Sequence, residues 1–349
     1  MKPARRELPE LLTPVQVYTH LNNYVIGQER AKRIVAIAAY NHQKRILNKK
    51  AGQPNPIKKS NILLIGPTGC GKTHIARNLA NVLDLPFAVV DATEYTEAGY
   101  YGKDVEVMVA ELLFKTGGQV DETQRGVIFI DEVDKIARRT HGARTGAGAR
   151  DIGGEGVQQA LLKLLEGSEV FVPLNVTQHW SKHDFVLVDT SEILFICAGT
   201  FSDMPVIQQE HRPVGFRGKR ADVQKRRRVT TKDLLEYGML AEFLGRLPVV
   251  VELEPLSVDD LMQILKRPPD SILREYVHLL SLDGIQLRFT DTALKLVIEH
   301  AIGKNLGARG LRSIMEEVMH DIMFDAPTSR GKRITVDKRF VAKRLTRME

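Results

Sequence analysis

Short unbroken apolar runs punctuate the first 255 residues of the chain. Asn61-Ile62-Leu63-Leu64-Ile65, Phe87-Ala88-Val89-Val90-Asp91, Gly126-Val127-Ile128-Phe129-Ile130 and Glu192-Ile193-Leu194-Phe195-Ile196-Cys197 show no alternation of apolar with polar positions. A strand with one wet face alternates, so runs of this length predict strands covered on both sides. Leu247 to Leu253 reads as a further strand. Between the runs, apolar residues recur at helical spacing. Thr13-Pro14 caps a helix to about Leu21, and a longer one runs from about Glu29 to Leu47, with Ile34, Val35, Ile37, Ala38 and Ile46 on its apolar side. Others are predicted up to Leu83, over 155–165 and over 231–243. Strands alternating with helices in this way predict an α/β domain whose parallel sheet is covered by helices.

After Pro255-Leu256-Ser257 the pattern changes. Ser257 caps a helix over 258–266, Pro268-Pro269 breaks it, and another runs to about Leu280. A short strand at 285–289 and helices over 291–302 and 308–324 complete a smaller, mostly helical domain. The predicted division is therefore 1–254 and 255–349. Residues 48–59 read as a surface loop, 142–148 as a glycine-rich one and 202–230 as polar without a period, and the basic stretch from Arg330 to Arg347 as a solvated tail.

The chemistry starts at Gly66-Pro67-Thr68-Gly69-Cys70-Gly71-Lys72-Thr73, which lies between a predicted strand and a predicted helix. In that context the glycines let backbone N–H groups converge on phosphates, and the helix start adds its positive dipole end. Lys72 can reach the β- and γ-phosphates, and the Thr73 hydroxyl can ligate Mg²⁺. Asp131-Glu132, at the end of another apolar run, supply the complementary half. Asp131 would hold the hydrated Mg²⁺, and Glu132 would polarise the water that attacks the γ-phosphate. Loop and acids together predict ATP hydrolysis rather than storage of the nucleotide. Arg246 and Arg309 are candidates for stabilising charge on the γ-phosphate, and spacing alone leaves open which of them acts within its own subunit. Cys70, beside Lys72 at a helix start, has the setting of an activated thiol.

Composition adds limits. With 43% hydrophobic and 27% charged residues the chain reads as globular. No apolar run nears the ~20 residues of a membrane span, and no leader-like apolar segment follows Met1. Two cysteines, Cys70 and Cys197, exclude a disulfide scaffold or a four-cysteine zinc site and make a cytoplasmic setting the default. The net charge of +7 raises nucleic-acid binding, yet Lys225-Arg226-Arg227-Arg228 and the basic tail come without aromatic stacking partners.

Several blocks together carry a resemblance: Tyr24-Val25-Ile26-Gly27-Gln28, the phosphate loop, Asp131-Glu132, Glu155-Gly156-Val157-Gln158-Gln159-Ala160-Leu161-Leu162-Lys163, Glu242-Phe243-Leu244-Gly245-Arg246-Leu247-Pro248 and Gly307-Ala308-Arg309-Gly310-Leu311-Arg312. From about Thr13 to the mid-320s the chain resembles the ClpX family of AAA+ protein unfoldases, more closely than the related HslU family with its large inserted domain. The resemblance implies a P-loop AAA+ domain followed by a helical lid, a homo-hexamer with ATP between subunits, and tagged or unfolded proteins as substrates. It casts Val25 and Ile26 as adenine contacts, Glu132 as the base, Arg246 as a finger offered in trans and Arg309 as a sensor from the lid. Thr200 is the candidate first sensor. Tyr100 and Tyr101, in Gly99-Tyr100-Tyr101-Gly102, are similar to the family's pore loop, and Arg150-Asp151-Ile152-Gly153-Gly154 to its second. Three departures stand out: the family's N-terminal zinc-binding domain is not matched, its Arg-Lys-His loop reads Ser181-Lys182-His183, and the Ile-Gly-Phe loop that docks a ClpP-like peptidase reads Val214-Gly215-Phe216.

Overall fold

Eleven strands form among the described residues of the computed structural model, which are 11–50, 57–96, 103–138, 154–174, 185–204, 228–304, 307–328 and 331–346. They are β1 Ile62–Ile65, β2 Phe87–Asp91, β3 Tyr95–Thr96, β4 Lys103–Asp104, β5 Val127–Asp131, β6 Glu169–Pro173, β7 Phe185–Asp189, β8 Leu194–Gly199, β9 Val249–Glu252, β10 Gln286–Phe289 and β11 Arg333–Val336. Tyr100, Tyr101, the stretch 150–153, Ser181 to His183, the triplet Val214, Gly215 and Phe216, and Lys225 to Arg227 lie outside the described residues.

The unbroken apolar runs become the central sheet, ordered β2-β5-β8-β1-β9 with every pair parallel. All four residues of β1 and all six of β8 are buried, as strands covered on both faces must be. From β1 the chain crosses through helix Lys72–Val82 to β2 at the far edge, then returns through β5 and β8. The reversal leaves a crevice at the carboxyl ends of the middle strands, where open α/β sheets bind ligands.

Contacts divide the chain into two units. One comprises 1–18, 30–66 and 72–253. Its core packs Leu63, Ile65, Ile128, Ile130, Phe195 and Cys197 of the sheet against Val109, Leu112, Leu161 and Leu165 of the covering helices. The other comprises 19–29, 67–71 and 254–349, with a separate core that includes Leu265, Leu280, Leu294, Val297, Met315 and Val318.

The expected solvated tail is folded. β11 pairs in parallel with β10, and Asp337 accepts from Phe340 N at 2.8 Å to start helix Lys338–Leu345. Val336, Val341 and Leu345 enter the second core. Their spacing is that of one helical face and its lead-in, which the density of Lys and Arg around them had hidden. Helix Gly307–Asp325 is consequently followed by another helix.

The expected single helix over 231–243 is two, Thr231–Tyr237 and Ala241–Gly245. Gly238 ends the first at φ 111°, and a Cβ there would lie 2.1 Å from Arg138 O, so no other residue fits. Helix Val107–Lys115 and the antiparallel pair β6–β7 were not read from the sequence. In that pair Val170, Val172 and Val188 are buried, while Phe171 and Leu187 stand opposite each other on an exposed face. Apolar residues on both faces erase the alternation that would have marked the strands.

A buried basic cluster lies in the first unit. His42 is fully buried, and burial first, then Lys59 and Arg45, push its pKa down to about 3. The Lys59 ammonium donates to Leu164 O at 3.3 Å and Thr190 O at 2.9 Å and sits 4.6 Å from the centre of the Phe195 ring. Although the residue as a whole is only half-buried, the ammonium is sequestered; burial and then Arg45 lower its pKa to about 7, against a raising effect of Asp189. Both groups bind protons more readily in the unfolded chain. Stability should therefore rise with pH, through His42 between about 3 and 6.5 and through Lys59 between about 7 and 10.5. Urea midpoints measured from pH 7 to pH 9 should climb, and Lys59→Met should flatten that climb; an unchanged slope in the variant would refute the assignment.

Candidate functional site

Parallel strands put like ends together. Ile65 is in register with Gly199 and Ile130 with Cys197, and Gly66 N donates to Gly199 O at 3.2 Å. The residues leaving β5, β8 and β1 therefore emerge at the same end of the sheet: Asp131 and Glu132, Thr200, and Gly66, which opens the phosphate loop. Lys72 opens its helix with its side chain folded back, Nζ donating to Gly66 O at 2.7 Å, and the residue is only 9% exposed. Gly71 has φ 101° with open space where a Cβ would stand. Backbone conformation, rather than crowding, thus demands glycine there. Thr73 follows in the first turn of the helix.

Glu132 holds a left-handed backbone, φ 57° and ψ 31°, and its N–H donates to Asp131 Oδ1 at 3.0 Å. A non-glycine residue in that region stores strain, and such strain clusters at functional sites. Loss of solvent raises the Glu132 pKa first, followed by the charges of Asp91, Asp131 and Asp134, with Lys135 opposing. Asp91 belongs there because it stands in register with Asp131 on the adjacent strand. The charges of Asp91, Asp131 and Asp134 around Glu132 make this end of the sheet strongly acidic.

Asp134 went unremarked in the sequence, although it is the third acid of Asp131-Glu132-Val133-Asp134. It is 5% exposed and accepts from the Thr200 hydroxyl at 2.9 Å and from Phe201 N at 3.3 Å. The side chain of Thr200, the candidate first sensor, thus ties the end of β8 to the turn after β5. Phe201 itself has φ 50°, so left-handed residues flank the clasp on both strands.

Arg246 occupies the other end of the sheet. It caps helix Ala241–Gly245, and its carbonyl accepts from Asn61 Nδ2 at 3.0 Å. Asn61 immediately precedes β1 and Gly66 immediately follows it, so about 16 Å of strand separates the two positions. The Arg246 guanidinium, half-exposed, meets Glu166 Oε1 at 2.5 Å. It therefore lies at the opposite end of β1 from Gly66.

In the second unit, Val25 and Ile26 are buried, and Gly27 and Gln28 both take left-handed backbone. The Gln28 side chain donates to Glu254 O at 2.7 Å and accepts from Glu254 N at 2.9 Å, locking that turn. Ala308 N donates to the loop carbonyl of Gly69 at 3.4 Å. Arg309 beside it is exposed, whereas Arg312 makes a two-pronged pair with Glu275 at 2.7 and 3.3 Å. Cys70 is 4% exposed, an enclosed thiol.

A parallel sheet with a glycine phosphate loop beside a strand-end Asp-Glu pair defines a P-loop ATPase of the AAA class. Residues 57–250 match the AAA domain (Cdc48 subfamily), and 256–337 match the C-terminal, D2-small domain of ClpB protein. The ATP-dependent Clp protease ATP-binding subunit ClpX 2 of Wolinella succinogenes is 46% identical over 327 residues, 94% of this chain and 80% of its own length. The corresponding ClpX subunit of Porphyromonas gingivalis is 43% identical over 96% of this chain and 82% of its own, and that of Treponema denticola 40% over 94% and 81%. The chain therefore belongs to the ClpX family and is an AAA ATPase. Among the described residues no helix is long and apolar enough to cross a membrane.

Thr200→Val removes one donor from a buried carboxylate and should cost about 1–3 kcal/mol. Thr200→Ser should recover most of it, as read by chemical denaturation.

Proposed function

We propose that this chain is an ATP-driven protein unfoldase that acts as a homo-hexamer and hands its substrates to a ClpP-like peptidase. The observation that carries the reading is that Gly66, which opens the phosphate loop, and the Asp131-Glu132 pair leave the same end of one parallel sheet, on strands separated only by β8, in a member of a family whose relatives are named as Clp protease ATP-binding subunits. Lys72 and the loop N–H groups bind the β- and γ-phosphates. Glu132 accepts the proton of the attacking water as its oxygen bonds in line to the γ-phosphorus and the bond to the β–γ bridging oxygen breaks, giving inorganic phosphate and ADP. Thr73 and Asp131 would hold Mg²⁺, which would supply positive charge against the phosphates. Val25 and Ile26 enclose the adenine, and Arg309 responds to the γ-phosphate.

The distance of Arg246 from its own loop supports a role in trans, on nucleotide held by a neighbouring subunit. That requirement is what makes the ring functional rather than decorative: each site is completed by the next chain. Tyr100 and Tyr101 grip the polypeptide, since an aromatic face binds apolar surface without regard to sequence. Val214, Gly215 and Phe216 dock the peptidase.

The test is unfolding of a tagged, stably folded reporter. Glu132→Gln should lower ATP turnover by roughly a hundredfold or more while nucleotide still binds. Tyr100→Ala with Tyr101→Ala should keep turnover and lose unfolding. Rings that hydrolyse ATP normally but never unfold the reporter would overturn the motor reading. Phe216→Ala should abolish pull-down of a ClpP-like peptidase and leave unfolding intact.

A further inference from the structure

The block Gly154 to Lys163 carries much of the family resemblance, yet none of the roles above uses it. Its helix, Gly154–Glu166, contains one fully buried polar side chain, Gln158. A primary amide in a core is costly unless its groups are paired. Here both ends are used, and on different elements. Gln158 Nε2 donates to Ile136 O at 2.8 Å, the last residue of the turn Val133–Ile136 that begins directly after Glu132. Gln158 Oε1 accepts from Leu240 N at 2.9 Å, the residue that caps the start of helix Ala241–Gly245.

That short helix leads straight into Arg246. Its far end is held by a second buried amide, Asn61, through Arg246 O at 3.0 Å and Leu165 O at 3.1 Å. Glu166, the last residue of the Gln158 helix, contacts the Arg246 guanidinium. One helix therefore touches the Arg246 segment at its start through Gln158, at its end through Leu165 by way of Asn61, and at its charged tip through Glu166. The same helix reaches back, through Gln158 Nε2, to the turn behind the catalytic acid.

We infer that Gln158 is a positioning residue for Arg246, its amide fixing helix Ala241–Gly245 to the turn that follows Glu132. The hydrogen bonds place the donor and acceptor of a single rigid amide between the segment that completes a subunit's own hydrolytic pair and the segment that serves its neighbour. The inference rests on the reading that Arg246 acts in trans.

The experiment separates the two. Lys72→Ala subunits, with a dead nucleotide site and an intact Arg246, are mixed with Arg246→Ala subunits, which have an intact nucleotide site. Activity should appear in the mixture, because each faulty subunit supplies what the other lacks. Failure of this base mixture overturns the trans reading and the inference with it. Adding Gln158→Leu to the Lys72→Ala subunit should then cut complementation roughly ten- to a hundredfold in kcat, the cost of a reactive group held about 1 Å out of place, with KM for ATP unchanged. Adding it instead to the Arg246→Ala subunit should leave complementation within about twofold of the base mixture. A base mixture that works, with Gln158→Leu harmless in the first subunit or equally harmful in both, overturns the inference alone.

Gln158→Glu serves as the second variant, because it keeps the acceptor for Leu240 N and loses the donor to Ile136 O. Circular dichroism and sedimentation confirm folding and assembly before either variant is scored, and if the leucine variant does not fold the glutamate variant is read in its place. It should retain more complementation than Gln158→Leu when both fold. Equal loss would show that the contact to Leu240 is not what positions Arg246.

Discussion

Everything at the nucleotide end depends on five strands running in one direction. In a parallel sheet the carboxyl ends align without any side chain having to arrange it, so residues far apart in sequence leave the sheet together. Gly66, Asp131 and Thr200 are neighbours because β1, β8 and β5 are in register, with Gly66 N on Gly199 O continuing the ladder one step beyond the strands. The same constraint sends Arg246 to the opposite end, beside the residue that precedes β1. Separation of the acid pair from the arginine is thus a consequence of topology.

Near those strand ends the backbone is strained where the chemistry is concentrated. Glu132 and Phe201 both take left-handed conformations that a side chain disfavours. Asp134 links the two strand ends, accepting from Thr200 and Phe201 on one and lying two residues from Glu132 on the other. Phe201 is itself fully buried and packs against Tyr237 at 5.1 Å, so its backbone is held from the core side as well. The strain persists because the surroundings over-determine it. A looser end to either strand would let Glu132 relax to an extended conformation.

The sheet was legible because burial on both faces leaves an unmistakable mark, a run such as Ile62 to Ile65 with no polar interruption. The loop and acid pair were legible because few residue types do their chemistry. What escaped had physical reasons. β6 and β7 carry Phe171 and Leu187 on the outer face, so no alternation survived to be read. β11 and the helix after it show Val336, Val341 and Leu345 amid lysines and arginines, and composition outweighed spacing. Asp134 and Asn61 look like ordinary polar residues in a sequence, since their significance lies in partners 66 and 185 positions away. Long-range hydrogen bonds leave no local pattern.

That last class contains Gln28, Asn61 and Gln158, three amides that each spend both polar ends on backbone groups. At the two buried ones, Asn61 and Gln158, an apolar side chain of similar size would fill the same volume but would leave the partner N–H and C=O unpaired in the interior, at about 1–3 kcal/mol apiece. Packing alone would also permit sliding, because dispersion contacts are indifferent to small displacements along a surface. Two hydrogen bonds from one planar amide fix distance and direction together. On the proposed reading, in which Arg246 acts on a neighbouring subunit's nucleotide, such a joint would set its position before that nucleotide arrives.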